Sequence, residues 1–136
     1  MKRQNPLPVA IVLALTLFSP LTRLHAQDRP HARVIALSGQ GKEQSLLSGP
    51  PETVSMRSGL ITLQPHQSVG KHSTRQNEEM LVVLEGQGKM LFSDDASIAI
   101  AKNHVLYCPP QTEHDVINTG TGVLRYVYIV ASANLK

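Results

Sequence analysis

The sequence predicts an all-β domain of the sandwich, barrel or jelly-roll type, and three observations support that prediction. From residue 54 onward, short runs of strand-forming residues alternate with turn residues. The turn residues recur at regular intervals, which is typical of all-β domains built from many short strands. No segment after residue 27 has apolar residues at the 3.6-residue spacing of an amphipathic helix.

The first 26 residues have the composition of a secretory signal peptide. Two basic residues follow the initial Met, residues 9–18 are almost wholly apolar, and Pro20 ends the apolar run. A small residue, Ala26, then precedes a polar stretch, so we expect cleavage after it and a secreted or periplasmic mature protein. The alternative is an uncleaved anchor, but the apolar run falls well short of the ~20 residues of a spanning helix. We therefore expect no stable membrane anchor.

Loss of residues 1–26 would change the charge of the protein. The full sequence has thirteen Lys and Arg against ten Asp and Glu, and three of the basic residues lie in the leader, so the mature chain has ten of each. No basic run remains to bind phosphates, which argues against a nucleic-acid partner. The single cysteine, Cys108, cannot form an internal disulfide, so the fold does not depend on a cross-link.

Residues 27–53 are predicted to form an N-terminal strand, placed at 33–37, and an irregular connector rich in Gly and Pro. Residues 54–136 are predicted to form one β-barrel. Its strands are predicted at 59–64, 69–74, 79–85, 89–93, 97–101, 105–108, 113–118 and 123–131. The breaks between them carry turn residues such as Gly86, Asp94 and Pro109.

Three titratable residues, His72, Glu79 and His114, occupy strand positions where apolar residues are usual. Taken alone, each has a bland explanation, because a strand histidine is usually half-buried and hydrogen-bonded and one of two adjacent glutamates is usually solvated. Two imidazoles and a carboxylate that converge inside a barrel would instead form a metal site with open positions for water, oxygen or substrate. Their order and spacing decide between these interpretations.

The spacing resembles the first of two motifs of the cupins, a family of small β-barrel proteins. That motif reads Gly, five residues, His, one residue, His, three or four residues, Glu, six residues, Gly. In this chain His66 stands at the first Gly, His72 at the first His, Thr74 at the second His, Glu79 at the Glu and Gly86 at the last Gly. Choosing Glu78 instead would put the closing Gly one residue out of place.

The second cupin motif reads Gly, five residues, Pro, one residue, Gly, two residues, His, three residues, Asn. Here Asn103 stands at the first Gly, Pro109 matches, Gln111 stands at the second Gly, and His114 and Asn118 match. The two motifs occur in the family's order, and the resemblance covers about residues 54–131. It implies a single cupin jelly-roll barrel.

The resemblance also implies a metal site. Cupins usually bind metal with three histidines and a glutamate, and Thr74 replaces one of those histidines here. That leaves His72, Glu79 and His114 as the metal ligands, with Thr74 expected to hold a bound water. The implied cofactor is a divalent transition metal, whether Fe, Mn, Ni, Zn or Cu. Glu78, next to the glutamate ligand, is expected to point outward.

Other residues carry weaker signals. Tyr126 and Tyr128 share one face of the last strand and either reach the cavity or serve as plain packing. Cys108 reads as a small buried hydrophobic residue. Arg57, Gln76 and Asn77 are candidates to reach the barrel mouth, with no orientation assigned to any of them.

Two functions remain open from the sequence. The first is a metal-dependent enzyme, of oxygenase type, that acts on a small organic substrate. The second is a non-catalytic module that binds a small molecule such as a sugar or carboxylate, with no metal or a structural one. The resemblance cannot choose between them, because one fold hosts many functions. It does imply a homodimer, with the strand at 33–37 as a candidate for edge pairing.

Overall fold

The structure, a computed structural model, describes residues 30–133 as an arrangement of nine β-strands. In this range no helix is assigned, and hence none that is long and apolar enough to cross a membrane. The predicted signal peptide lies outside the described residues. The strands are β1 Glu43–Ser48, β2 Arg57–Leu63, β3 His72–Ser73, β4 Asn77–Glu85, β5 Gln87–Phe92, β6 Ser97–Ala101, β7 Val105–Cys108, β8 Glu113–Asn118 and β9 Leu124–Ser132.

The strands form two antiparallel sheets, which confirms the predicted all-β jelly-roll. The larger sheet has the order β1-β2-β9-β4-β7 and the smaller one the order β3-β8-β5-β6. Side chains alternate between the two faces of each strand, so that β4 buries Leu81 and Val83 and β8 buries Val116. These inward residues of both sheets form one apolar core.

The predicted strand at 33–37 is wrong, because these residues have no strand pairing in the structure. The strand of this region is β1, which lies six residues further on and pairs with β2. The preceding segment is held by a side chain instead: the Gln44 amide donates to the Ala36 carbonyl (2.9 Å) and accepts from the Ser38 N–H (2.9 Å). The segment proposed to pair the two subunits of the predicted homodimer is therefore not an edge strand. The edge strands of the larger sheet are β1 and β7.

The other predicted strands are found, and β6, β7 and β8 have the predicted bounds. The strand predicted at 69–74 is shortened to His72–Ser73. Gly70 interrupts it with a φ of 98°, outside the extended region. Of the predicted strand, only His72–Ser73 pairs with β8, which suffices to place one histidine of the candidate site.

The three non-glycine residues at motif glycine positions keep the backbone conformation that favours glycine. His66, Asn103 and Gln111 have φ angles of 66°, 69° and 61°. Each adopts the left-handed region, at a cost of roughly 1 kcal/mol per residue. The turns of both motifs therefore retain their shape, and Gln111 does not alter the turn before His114.

Candidate metal site

The two sheets bring His72, Glu79 and His114 together, and we call this group the His–Glu–His cluster. His72 on β3 lies directly opposite His114 on β8 in the smaller sheet. Glu79 lies in the larger sheet, on the inward face of β4. Glu79 and His114 are buried, whereas His72 is exposed. The three predicted site residues thus converge from both sheets.

The distances within the cluster are those of a small coordination site. One ligand atom from each residue lies within 4.8 Å of the other two. The His72 and His114 ring centroids are 4.5 Å apart with planes at 60°, and His114 Nε2 lies 3.1 Å from Glu79 Oε2. Two imidazole nitrogens and one carboxylate oxygen within these distances of one another are a ligand set for a divalent transition metal.

Backbone carbonyls orient both imidazoles. His72 Nδ1 lies 2.8 Å from the Gly70 carbonyl and His114 Nδ1 lies 3.0 Å from the Thr112 carbonyl. Since a carbonyl only accepts, each Nδ1 carries the proton and each Nε2 keeps a free lone pair in the neutral ring. Gly70 is itself held, because its N–H donates to Asp115 Oδ1 (2.9 Å). These contacts at Nδ1 leave Nε2 of both rings available as ligand atoms.

Two buried polar atoms of the cluster lack hydrogen bonds among the described residues. They are Glu79 Oε2 and His114 Nε2, which lie close to each other but are not aligned for a hydrogen bond. An unsatisfied buried polar atom costs about 1–3 kcal/mol, and more if it is charged. A cation bound to both atoms would satisfy them, so the residues present fit a metal ion.

The environment of His114 also affects its protonation. Burial is the largest single influence and lowers the pKa of the ring, but the Glu79 carboxylate, the Thr112 carbonyl and Asp115 together raise that pKa above its ordinary value. A proton and a metal ion compete for the same Nε2. Glu79 therefore makes this nitrogen attractive to cations of either kind.

Cys108 lies behind His114, a contact that sequence reasoning missed. Its Sγ is buried and lies 3.3 Å from His114 Nδ1, whereas Glu79 Oε2 lies near Nε2 of the same ring. Burial is the main cause that raises the pKa of the thiol to about 11, so it stays protonated. Cys108 is also directly opposite Glu79 in the β4–β7 pairing. Knowledge of that pairing would have revealed the contact.

A cavity of about 600 Å³ lies beside the cluster. Its apolar wall includes Ile61, Val116 and Val130, and both Tyr126 and Tyr128 line it. Both alternatives for the tyrosines are therefore found, because Tyr126 also belongs to the buried core and Tyr128 packs against it. Its charged lining residues are Lys42, Glu43, Arg57 and Lys71 besides Glu79.

The remaining predictions at the site concern Thr74 and Glu78. Thr74 lines the cavity, but its hydroxyl donates to the Asn77 carbonyl (2.8 Å), so its proton is not available to a water. Glu78 lies on the opposite face of β4 from Glu79 and accepts from the Tyr107 hydroxyl (3.2 Å) at the surface. The outward orientation of Glu78 is as predicted.

A scan against protein families matches one family to most of the barrel. The model of the cupin domain family matches residues 59–130. No curated protein sequence matches the chain significantly.

Solved structures with the same fold include several cupins. A Cupin 2 conserved barrel domain protein from Salinispora arenicola aligns with a TM-score of 0.64 at 18% identity, over 76% of this chain and 91% of that chain. An RmlC-like cupin from Desulfovibrio desulfuricans aligns with a TM-score of 0.61 at 21% identity, over 74% and 97%. The cupin domain of Schizosaccharomyces pombe Cnp3 aligns with a TM-score of 0.59 at 18% identity over 68% of this chain, which spans 61% of that one. At these identities the similarity shows the fold.

Proposed function

This chain belongs to the cupin family, and from that premise we propose that it holds one divalent transition metal at His72, Glu79 and His114 and acts on a small organic substrate in the adjacent cavity. The proposed reaction is of oxygenase type. A metal ion bound to these three residues would supply a Lewis acid with open positions for oxygen and substrate.

One observation carries the proposal. Glu79 Oε2 and His114 Nε2 are buried without hydrogen bonds, beside a third ligand atom from His72. A purely structural Glu–His pair would be expected to form an aligned hydrogen bond, because the buried groups gain from it. Two buried atoms without hydrogen bonds that lie beside a third potential ligand atom are better explained by a bound metal ion.

The chain's own residues have distinct roles in this proposal. The Gly70 and Thr112 carbonyls hold the two rings with Nε2 toward the ion. Tyr126 lines the cavity, and burial is the main cause that raises the pKa of its phenol, so it stays a neutral hydrogen-bond donor. The described residues offer its hydroxyl no partner. Tyr126 is therefore placed to donate a hydrogen bond to a bound substrate.

Substitution of Thr74 by histidine tests whether the site is catalytic. Position 74 lines the cavity two residues after His72, so an imidazole there can add a fourth ligand. We expect metal binding to tighten at least about tenfold, equivalent to ~1.4 kcal/mol. An enzyme built around three ligands would lose activity, since the new ring takes a position needed by substrate, whereas a binding module would gain affinity with no activity to lose.

The control for this experiment is Thr74→Val, which keeps the shape but adds no ligand. It removes the hydrogen bond from the Thr74 hydroxyl to the Asn77 carbonyl. Metal affinity and any metal-dependent oxygen consumption are measured for all three proteins. Equal metal affinity of wild type and Thr74→His would contradict the ligand assignment.

The second candidate is a non-catalytic module for a small molecule, such as a sugar or carboxylate. The observation that favours it is Thr74, whose hydroxyl is already engaged, so the site has one ligand fewer than usual in the family. A panel of small organic substrates with each metal distinguishes the two functions. Binding without turnover on every metal would favour the module.

We further propose that the protein is exported. The support is the sequence of residues 1–26, with its basic start, apolar run and small residue at 26. Mass spectrometry of protein secreted by a bacterial host should show a mature chain that begins at or near Gln27. Recovery of soluble protein with an intact N-terminal Met would contradict export.

A further inference from the structure

We propose that the ligand of the cavity is a small organic acid, whose carboxylate binds the guanidinium of Arg57 while the rest of the molecule extends toward the His–Glu–His cluster. The carboxylate site consists of residues outside the cluster. The contact with Arg57 does not require a metal, whereas the approach of the ligand to the cluster and the net positive charge of the cavity rest on the proposed function.

Strand pairing places Arg57 and Glu79 at the two ends of one row across the larger sheet. Arg57 on β2 is opposite Val130 on β9, and Val130 is opposite Glu79 on β4. All three line the cavity. With neighbouring strands about 4.8 Å apart, the Cα atoms at the ends of the row are separated by about 10 Å. A molecule that reaches from Arg57 to the cluster therefore lies over Val130 and is small.

The aliphatic stem of Arg57, an exposed residue at the start of β2, runs beside Gly49 at the cavity. A Cβ placed on Gly49 would lie 3.3 Å from Arg57 Cγ and 3.7 Å from Cδ, so the stem passes directly over this buried glycine. Gly49 has a φ of 93°, so the backbone as well as the space favours glycine there. A larger residue at position 49 would therefore displace this stem.

The guanidinium of Arg57 has no ion-pair partner among residues 30–133, although carboxylates lie near it in the fold. Glu52 is paired with Arg33 (3.0 Å) and accepts from the Ser48 N–H (2.7 Å). Glu43, which also lines the cavity, accepts from the Tyr128 hydroxyl (2.9 Å). Both carboxylates are engaged elsewhere, so the five donors of Arg57 are available for bidentate binding of a ligand carboxylate.

The charge of the cavity also favours an anion. Its lining has three cations, Lys42, Arg57 and Lys71, against two carboxylates, Glu43 and Glu79. Lys71 is paired with Glu113 (3.2 Å), which does not line the cavity, and a metal ion would more than offset Glu79. Without a metal ion the remaining lining charges balance, with Lys42 and Arg57 against Glu43 and Glu79, and with the proposed metal the field is positive and attracts an anionic ligand.

The test is calorimetric titration of the purified full chain, equilibrated with zinc, with a set of small probes. Zinc is used because it has no redox chemistry. The probes are succinate, glutarate, the neutral butane-1,4-diol, the amine 1,4-diaminobutane and inorganic phosphate. Zinc content is measured in parallel by elemental analysis. We expect at least one dicarboxylate to bind more tightly than the diol, the amine and phosphate.

Variants locate the carboxylate site. Arg57→Gln should weaken dicarboxylate binding by about tenfold or more, because it removes a charged, bidentate donor, and should leave the zinc content unchanged. Arg57→Lys should weaken dicarboxylate binding less than Arg57→Gln does. Lys89→Gln is the matched control: it removes one positive charge from an outward position of β5 that does not line the cavity, and should have no effect. Glu43→Gln should leave acid binding unchanged or tighten it.

Each result bears on one of the two proposals. Equal dicarboxylate binding by wild type and Arg57→Gln, no binding of either acid to wild type, or preference for the diol, the amine or phosphate would overturn the organic-acid inference. If the protein still binds one zinc ion per chain, those results would not affect the metal proposal. Arg57-dependent acid binding by a protein that takes up no zinc would support the carboxylate site, and the metal proposal would then be contradicted if iron, manganese, nickel and copper also fail to bind.

Discussion

Replacement of His72 by alanine should abolish stoichiometric metal binding without unfolding the barrel. His72 is exposed on a strand of two residues, and its side chain makes one hydrogen bond, to the Gly70 carbonyl. We expect the free energy of unfolding of the metal-free protein to change by no more than about 0.5 kcal/mol. The loss of one ligand of three should weaken metal binding by about 100-fold or more. Elemental analysis and thermal unfolding give the two readouts.

Adjacent glutamates provide a matched control for the same experiment. Glu79→Gln keeps the size of a ligand but removes its charge, so metal binding should be lost. Glu78→Gln changes the neighbouring residue, which faces outward and accepts from the Tyr107 hydroxyl, so metal binding should be retained. Retention of metal by His72→Ala, or equal losses in Glu78→Gln and Glu79→Gln, would contradict the assigned ligands.

Gly86→Ala should destabilise the barrel by roughly 3 kcal/mol or more. A Cβ at this position would lie 2.2 Å from the Val123 carbonyl oxygen and 3.0 Å from Leu124 Cα, and both are backbone atoms that cannot move aside. The residue also has a φ of 79°. Left-handed backbone costs about 1–2 kcal/mol for alanine, and overpacking adds about 1–3 kcal/mol. Denaturant unfolding of the metal-free protein measures the difference.

Gly122→Ala is the control for this prediction. No atom would lie within 4 Å of its added Cβ, and its φ is not positive. We expect a change of no more than about 0.5 kcal/mol. If Gly86→Ala and Gly122→Ala have similar free energies of unfolding, the close backbone packing around Gly86 does not require glycine at that position.

Much of the fold was predictable because turn residues and strand-forming runs are local signals. The strands β6, β7 and β8 have the predicted bounds. The strand β1 was missed because its sequence, Glu43–Ser48, is polar or small at four of six positions, as befits an edge strand. The segment 33–37 was favoured instead because it contains Val34 and Ile35. Its apolar residues do not enter a ladder, and Val34 is 99% exposed.

The candidate site was predictable only in part, for a physical reason. The His–Glu–His cluster could be predicted from two motifs. The spacing of residues in these motifs reflects the strands that carry them, whose inward residues converge. Contacts between strands distant in sequence depend on pairing and register, which the motifs do not encode. The row from Arg57 to Glu79 arises from such pairings, whereas the contact of Cys108 with His114 joins consecutive strands that lie in different sheets.

The most direct measurement is the metal content of purified wild-type protein after equilibration with iron, manganese, nickel, copper and zinc in turn. The cluster offers two imidazole nitrogens and a buried carboxylate with unsatisfied atoms. We predict one ion per chain for at least one of these metals and a loss of that ion in His72→Ala. If wild type and Thr74→His both remain metal-free with all five metals, the assignment of a metal site to this barrel is contradicted.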